Sequence, residues 1–412
     1  MKSEIQFKHE IDGWVKREIY SGIENFDELM IALPGVYPSL VIDSLSRLAS
    51  KGHIKKSVFN HLIKQVTADN KNISYIEENR NVAHPLDYDW RFNNETVNQI
   101  IKIVYQLTKP NDTIVLLGVN SLYHSEIKIN ERKILLIDKN ILNFNSKKRA
   151  SFHKCDLLKD KLPPIKANLV IADPPWYEEH FRSFIWATSQ FCNLNGHLLL
   201  GMPAIGTRCD MRRETNNIIN WTQELGFHHL GTRKGFLTYK SPLFERNALR
   251  AVGITNIYPE WRRADLALFS KFANVNVKRP FFQTEDIWES MNFLGVDIRV
   301  REKLSTRFFD PSLISLVTND IFPTVSRRDS RRNLVDVWTV GNRVFSCDGT
   351  NILKIILDAL SLGKTPEIEI EKFLKRSITK KEYEKINFTS NQIIQIIEQE
   401  RREIGIANWQ LN

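Results

Sequence analysis

The chain has 412 residues, 42% of them hydrophobic and 26% charged, which is typical of a water-soluble protein with two or three folded domains. No apolar run approaches the roughly 20 residues of a membrane span, and the polar start of the chain lacks the apolar core of a signal peptide, so we expect a cytoplasmic protein. The excess of Lys and Arg over Asp and Glu gives a formal net charge of +10, which favours polyanionic partners. The four cysteines form no C-x-x-C pair, so the sequence predicts neither a disulfide framework nor a metal site.

Residues 1–82 have the pattern of a helical domain followed by a polar linker. Apolar spacing predicts helices from Asp27 to Leu33 and from Pro38 to Ala49, with Pro34-Gly35 as the turn between them and a basic segment after them. This arrangement resembles a winged-helix domain, a module that binds DNA or serves in dimerisation and packing. The sequence leaves both roles open.

A short segment from His84 to Phe92 combines aromatic, acidic and basic side chains just before the predicted catalytic core. If it crosses the mouth of a site, Tyr88, Trp90 or Phe92 is placed to stack on a base, and Asp87 or Asp89 to contact a substrate amine. The alternative is a strap that buries its aromatic residues on the core surface. Both interpretations stay open at this point.

A series of short apolar segments, separated by segments of helical length, follows a predicted helix from Asn94 to Leu107. Strands are predicted at residues 113–118, 133–138, 152–156, 168–173, 196–201, 227–232 with 235–239, and 263–269. Alternation of strands and helices on this scale predicts an α/β fold with a doubly wound, mostly parallel sheet.

The strand at 168–173 ends in Asp173-Pro174-Pro175-Trp176-Tyr177, at the sheet edge where open α/β sheets bind ligands. Asp173 can accept a hydrogen bond from an amino group. Pro174 has no N–H and leaves its carbonyl as an acceptor, while Trp176 or Tyr177 offers a face to a planar base. Together these groups suit an exocyclic amine held with its lone pair towards an electrophile.

This loop resembles the Asp/Asn-Pro-Pro-aromatic motif of the amino-methyltransferases, which transfer a methyl group from S-adenosylmethionine (SAM) to exocyclic amines of adenine or cytosine. The form with Asp and Trp is most similar to the adenine-directed members. The resemblance implies a Rossmann-like sheet of seven strands, SAM as cofactor, and nucleic acid, DNA or RNA, as partner. It also implies that the catalytic residues are Asp173, Pro174, Pro175, Trp176 and Tyr177.

The same resemblance assigns cofactor-binding residues to the ends of the first three strands. Gly118 and Asn120 follow the first strand, and Asp138 and Asp156 end the next two. One departure is that the family's loop carries an acid-x-Gly-x-Gly pattern, whereas here a single glycine, Gly118, stands without an acid. A missing glycine limits how closely the backbone approaches a ligand.

The sequence predicts a catalytic domain at residues 83–272 and a separate α+β region in the last third of the chain, residues 273–412. Four arginines lie within six positions and are placed to contact phosphates, with two nearby residues placed to reach a base edge; alternatively, the segment is a solvated loop. The four are Arg327, Arg328, Arg331 and Arg332, and the two are Asn342 and Arg343. A long charged helix near the end carries a narrow apolar stripe, which predicts core packing or contact with a second copy or a partner protein.

Three functions therefore compete. The first is SAM-dependent methylation of adenine in nucleic acid. The second is aminopropyl transfer, because a winged helix, a strap and an Asp-Pro-Pro loop also resemble the branched-chain polyamine synthases, which would require an acidic substrate groove. The third is a non-catalytic nucleic-acid-binding or assembly protein, which the incomplete cofactor loop favours.

Overall fold

The chain forms two compact units. The computed structural model describes residues 2–68, 82–123, 125, 131–140, 150–282, 286–303, 308 and 310–405, without the side chains of residues 2 and 150. The sheet unit comprises the described residues within 1–68, 89–241 and 256–283, and the C-terminal unit those within 69–88, 242–255 and 284–412. Two segments that the sequence assigns to the predicted catalytic domain, 83–88 and 242–255, thus belong to the C-terminal unit.

The sheet unit begins with four helices, α1 (Lys2–Tyr20), α2 (Phe26–Ala32), α3 (Pro38–Ser50) and α4 (Lys56–Thr67). Asp12 joins α1 to α3, because its carboxylate accepts hydrogen bonds from Ser44 and Arg47. The described residues 2–68 contain no strand. The winged-helix interpretation therefore stays unconfirmed, since the strands that would form a wing are not among these residues.

An eight-stranded sheet forms the centre of this unit, with the strand order β1-β7-β8-β6-β5-β2-β3-β4. The strands are β1 (Arg91–Phe92), β2 (Thr113–Leu117), β3 (Lys133–Asp138), β4 (Ala150–Lys154), β5 (Ala167–Ala172), β6 (Cys192–Pro203), β7 (Phe227–Lys240) and β8 (Arg262–Lys271). The helices between them are α5 (Asn94–Leu107), α6 (Asn120–Tyr123), α7 (Glu178–Phe191) and α8 (Met211–Glu224).

Side-chain alternation along β2 explains why the sheet is covered on both faces. Ile114 and Leu116 point into one apolar core, where α5 contributes Ile100. Val115 and Leu117 point into a second core, where α7 packs. A strand buried on both faces is typical of a doubly wound sheet.

The predicted α/β sheet is confirmed, but its strand count and orientation need correction. The sheet has eight strands rather than seven, because Arg91 and Phe92 pair with the outer edge of β7 and add the short strand β1. Four neighbouring pairs are parallel, whereas β8 is antiparallel to both β6 and β7, and β1 is antiparallel to β7. The two segments predicted at 227–232 and 235–239 form one strand, β7, with register shifts in its middle.

The segment between α2 and α3 contacts the sheet unit at the edge where β6 ends. The backbone N–H of Gly206, in the loop after β6, donates to the carbonyl of Pro34 at 2.8 Å. The ring of Tyr37 lies edge-on to Trp261, with ring centroids 5.5 Å apart. The predicted Pro34-Gly35 turn therefore lies beside the carboxyl end of the parallel strands.

The C-terminal unit contains a five-stranded antiparallel sheet with the order β11-β13-β12-β10-β9. Its elements are α9 (Leu243–Ala251), β9 (Trp288–Phe293), β10 (Val296–Arg301), β11 (Ile314–Ser315), a 3-10 helix (Ser330–Leu334), β12 (Val337–Thr339), β13 (Val344–Ser346), α10 (Thr350–Ser361), α11 (Pro366–Leu374) and α12 (Lys380–Ile404). Ile386, Ile393 and Ile397 of α12 belong to the core that also contains the strand residues. None of the described helices is long and apolar enough to span a bilayer.

Candidate active site

The Asp-Pro-Pro-Trp loop leaves the carboxyl end of β5 and leads into α7. The backbone N–H of Asp173 donates to the carbonyl of Leu117 at 3.1 Å, which fixes the loop to the end of β2. The N–H of Tyr177 donates to the carbonyl of Pro175 at 2.7 Å, and Tyr177 precedes the first turn of α7. Two prolines restrict the backbone between these anchors, so the loop holds Asp173 in one place.

Asp173 forms a hydrogen bond with a residue that no motif indicates. The hydroxyl of Tyr239, on β7, donates to Asp173 Oδ1 at 2.8 Å. Burial raises the pKa of Asp173 to about 7, and the hydrogen bond from Tyr239 partly offsets this effect. The pKa of Tyr239 is also raised well above its usual value, by burial and then by the Asp173 charge. Near neutral pH the Asp173 carboxyl is therefore poised between its two protonation states.

Aromatic rings surround this hydrogen-bonded pair. Trp176 and Trp90 both lie edge-on to the ring of Tyr239, at centroid distances of 6.0 and 6.2 Å. The guanidinium of Arg262 lies over both tryptophans, 4.1 Å from the Trp90 centroid and 5.1 Å from that of Trp176. Of the predicted strap residues, Trp90 thus lies against Tyr239, whose hydroxyl donates to Asp173.

The neighbouring strand ends carry the residues predicted to bind the cofactor. Gly118 has a positive φ of 65°, and its N–H donates to the carbonyl of Ile137. Asn120 is buried, its Nδ2 donates to Asp89 Oδ1 at 3.2 Å, and its Oδ1 has no hydrogen-bond partner among the described residues. Asp138 is half-buried at the end of β3, and its Oδ1 accepts from the N–H of Asn140.

These residues fit a sulfonium nucleotide such as SAM. A buried amide oxygen without a partner needs a donor, and the amino group of the methionine part of SAM can supply one. Gly118 supplies a turn without a Cβ at the sheet edge, and a carboxylate at the end of the second parallel strand suits ribose hydroxyls. Asp156 is engaged within its own loop, where it accepts from the N–H of Leu158 and lies 3.6 Å from the Lys159 ammonium.

Replacing Asp138 with Ala is expected to weaken SAM binding by about 1.5–3 kcal/mol for each charge-assisted hydrogen bond that is lost. Titration calorimetry measures the effect. Asp112→Ala is a matched control, since Asp112 precedes β2 at the opposite sheet edge, where its carboxylate accepts from the N–H of Lys109. Equal affinity of the Asp138 variant and the wild type would remove the assigned cofactor position.

Two of the predicted strap residues belong to the C-terminal unit and are engaged there. The carboxylate of Asp87 forms an ion pair with Arg299 at 3.0 Å. The hydroxyl of Tyr88 accepts a hydrogen bond from Arg332 at 3.0 Å. Trp90, in contrast, belongs to the sheet unit.

The arginine cluster is partly engaged within the C-terminal unit. Arg331 is exposed but forms an ion pair with Asp329 at 2.6 Å, and Arg332 lies over the ring of Trp338 as well as donating to Tyr88. Arg328 is exposed and Arg327 is half-buried. The cluster thus presents charge to solvent mainly through Arg328 and Arg331.

The neighbouring turn is buried, which corrects the expectation that its side chains reach a base edge. Asn342 accepts from Trp338 Nε1 and donates to the carbonyl of Phe322. Arg343 is 1% exposed and forms ion pairs with Glu400 and Glu403. Neither side chain is available to a nucleic acid.

No protein-family model matches this sequence, and no curated protein matches it. Among solved structures, the chain is similar to a variant of a branched-chain polyamine synthase, the C9 mutein from Thermus thermophilus in complex with N4-aminopropylspermidine and 5'-methylthioadenosine. The TM-score is 0.52 and the sequence identity 9%, and the likeness covers 69% of this chain and 95% of that one. The unmodified synthase gives a TM-score of 0.49 at 10% identity, over 69% of this chain and 96% of that one. The N-methyltransferase NodS from Bradyrhizobium japonicum, in complex with S-adenosylhomocysteine, gives 0.31 at 11% identity, over 51% of this chain and 96% of that one. The first likeness shows a shared fold.

Proposed function

We propose that the protein transfers a methyl group from SAM to the exocyclic amine of adenine in a nucleic acid. The observation that carries the proposal is the partly accessible carboxyl of Asp173, held by Tyr239 at the carboxyl end of β5 beside Trp176. The substrate amine that receives the methyl group needs a group at that edge that accepts its hydrogen bond and then its proton. A planar base needs an aromatic face next to this group.

In this mechanism Asp173 accepts a hydrogen bond from the amine and takes its proton as the nitrogen becomes bonded to carbon. The carbonyl of Pro174 provides a second acceptor, and Trp176 or Tyr177 stacks on the base. Gly118, Asn120 and Asp138 hold the cofactor, which supplies an electrophilic methyl group when bound. Most of the rate enhancement comes from positioning, because the amine of adenine is a neutral nucleophile.

The guanidinium of Arg262, over the two tryptophans, supports a phosphate-bearing acceptor over a polyamine. Arg262 covers Trp90 and Trp176, and Arg208 donates to the carbonyl of Trp176 at 3.1 Å. Arg208 is paired with Glu214, so the group that favours the phosphates of a nucleic acid over a polycation is the Arg262 guanidinium. A base in a duplex would also have to leave the stack to reach Asp173.

Aminopropyl transfer is the second candidate, and one observation favours it. The likeness to the polyamine synthase variant extends over 95% of that chain. For this protein the reaction would move an aminopropyl group from decarboxylated SAM to a polyamine amine, with Asp173 again as proton acceptor. The Arg262 guanidinium over Trp90 and Trp176 makes this candidate second.

The deciding experiment gives the purified protein each donor with each acceptor. Radiolabelled SAM is incubated with single-stranded DNA, duplex DNA and RNA, and decarboxylated SAM is incubated with spermidine. N6-methyladenine in nucleoside digests supports the proposal, and an aminopropylated polyamine detected by mass spectrometry replaces it with the second candidate. If calorimetry detects no binding of either sulfonium nucleotide, both enzyme functions fail and the non-catalytic interpretation is adopted.

Removing the two exposed arginines of the cluster tests the nucleic-acid partner separately. If Arg328 and Arg331 contact phosphates, the double Ala variant is expected to reduce the log-log salt slope of oligonucleotide binding by about 0.7–0.9 per lost contact. Lys380→Ala with Lys381→Ala is a control that removes two exposed charges from the same unit. If the cluster variant keeps the wild-type slope, the nucleic acid does not contact this cluster.

A further inference from the structure

Tyr239 is buried in the sheet unit with its hydroxyl directed at the loop that the proposed function makes catalytic. Its side chain is 1% exposed, and its hydroxyl donates to Asp173 Oδ1 at 2.8 Å. The two residues are 66 positions apart in the chain. Their contact therefore depends on the sheet, which brings the ends of β5 and β7 to the same edge. A buried hydroxyl paired with a carboxyl constrains both groups.

The surroundings of Asp173 leave only one of its oxygens for a substrate. Gly201, on β6, lies against Oδ1 so closely that a Cβ at this position would overlap with that oxygen. Oδ1 is thus enclosed by Tyr239 and Gly201. Oδ2 makes no hydrogen bond to the described residues, and the side chain as a whole is partly accessible. Among the described residues, Oδ2 is therefore the oxygen left without a hydrogen-bond donor.

The part of the strap that belongs to the sheet unit, from Asp89 to Phe92, fixes the ring of Tyr239 together with the next residue, Asn93. Below, the strap means these residues, 89–93. Phe92 is paired with Tyr239 in the β1–β7 register, with ring centroids 5.1 Å apart. The N–H of Asn93 donates to the carbonyl of Thr238 at 2.9 Å. Together with Trp90 and Trp176, these contacts leave the phenol little freedom to move.

The strap also reaches the proposed cofactor edge. The N–H of Phe92 donates to Ser121 Oγ at 2.8 Å, and Asp89 Oδ1 accepts from Asn120. The guanidinium of Arg91 pairs with the other oxygen of Asp89 at 2.8 Å. One short segment thus contacts both α6, which follows Gly118, and the tyrosine that holds Asp173.

We propose that Tyr239 is a positioning residue that fixes Asp173 with Oδ2 directed at the acceptor amine, and that the strap couples this pair to α6 at the cofactor edge. This role deepens the proposed function and rests on it for its catalytic meaning. The strap then acts through Tyr239, in contrast to the expectation that its residues contact the substrate directly.

The ionisation of Asp173 provides a measure of this role. The charged or titratable groups that face the pair are Tyr239 itself, from β7, and Arg262, from β8, which acts on Tyr239. The backbone of β2 and Gly201 of β6 bring no charge. A hydrogen bond donated to a carboxylate favours its ionised form, so loss of the Tyr239 hydroxyl is expected to raise the pKa of Asp173.

The test compares Tyr239→Phe with the wild type by infrared titration of the Asp173 carboxyl, with Asp173→Asn as the spectral reference and no substrate or cofactor present. The Phe ring keeps the aromatic contacts. We expect the carboxyl titration, and the acidic limb of the pH–rate profile, to move up by about one pH unit or more. Tyr20→Phe is the control, because it removes an exposed tyrosine hydroxyl whose hydrogen bond, to the carbonyl of His53, involves no strap residue.

An unchanged titration in Tyr239→Phe overturns the positioning role, whatever the activity. A raised titration in a protein that transfers no group supports the positioning of Asp173 while rejecting the proposed reaction. Phe92→Leu, which loosens the strap contact without removing the hydroxyl, is expected to give part of the same shift. A Phe92 variant with the wild-type titration removes the strap from the proposal.

Discussion

Replacing Asp173 with Asn is expected to lower the rate of group transfer by about 10²–10⁴-fold, because the amide cannot take the proton of the acceptor amine. The wild-type kcat/KM is expected to rise with pH through about 7, the pKa to which burial raises Asp173. The variant should lose this acidic limb while its affinity for SAM stays near the wild-type value, since the Asn side chain keeps the shape of the loop. Single-turnover rates across a pH series and calorimetry with SAM measure the two effects.

The same substitution is expected to increase the stability of the folded protein. A loss of activity in this variant would then not come from misfolding. The pKa of Asp173 is raised in the folded state, so ionisation of this group costs stability as the pH rises from about 4 to 7, and the cost is complete above pH 7. Asp173→Asn is therefore expected to increase the free energy of unfolding by roughly 1–3 kcal/mol at pH 8 and to have little effect near pH 4. Transfer at a rate close to that of the wild type would refute the catalytic role of Asp173.

The parts of the fold that the sequence predicted well are those set by local chemistry. The helix predicted from Asn94 to Leu107 is confirmed at both ends, because Asn93 caps it with a side-chain oxygen and its apolar residues recur at helical spacing. The strands predicted at 113–118 and 168–173 are confirmed as Thr113–Leu117 and Ala167–Ala172, because runs of apolar residues end at polar turns. The position of Asp173 at a strand end follows from the same pattern.

The parts that sequence reasoning missed depend on contacts between distant residues. Tyr239 and Gly201 lie in strands whose pattern gives no sign of function, and only the register of β6, β8 and β7 brings them to Asp173. Arg262 follows the buried Trp261 at the start of a strand and has no motif around it. A weak signal existed, since a tyrosine in an apolar strand needs a partner for its hydroxyl.

The Asn342-Arg343 turn shows why a local pattern gave the opposite environment from the observed one. Polar residues after glycine are typical of an exposed turn. Here the acids that neutralise Arg343 come from α12, 57 and 60 positions later in the chain. Nothing near residue 343 in the sequence indicates these partners, so burial of the arginine was not predictable.

This buried cluster supports the prediction with the largest expected effect on stability. Arg343 donates to Glu400 Oε1 at 2.8 Å and to Glu403 Oε1 at 2.6 Å, and Glu400 is fully buried. Burial raises the pKa of Glu400, while the charge of Arg343 and a hydrogen bond from Thr339 partly offset this effect. Removing the arginine would leave a carboxylate without its cation in a medium that disfavours charge.

Arg343→Met is therefore expected to reduce the free energy of unfolding of the C-terminal unit by about 3–5 kcal/mol at neutral pH. Because the folded-state pKa of Glu400 already lies above its unfolded value and rises further without Arg343, the deficit should grow as the pH rises and shrink as the pH falls towards the unfolded value. Hydrogen exchange of peptides from α12, compared with peptides from β5 in the other unit, measures the effect locally.

Two companion variants separate an unpaired buried charge from a simple loss of packing. Adding Glu400→Gln to Arg343→Met removes the stranded carboxylate and is expected to restore most of the stability and to weaken its pH dependence. Arg331→Met breaks the exposed ion pair with Asp329 and is expected to cost no more than about 1 kcal/mol. If Arg343→Met costs as little as Arg331→Met, or if the double variant is no more stable than the single one, the buried cluster does not stabilise the C-terminal unit through its charges. A recovered double variant would instead show that the arginine is required because Glu400 is buried, which explains why the turn at residue 343 is folded inwards.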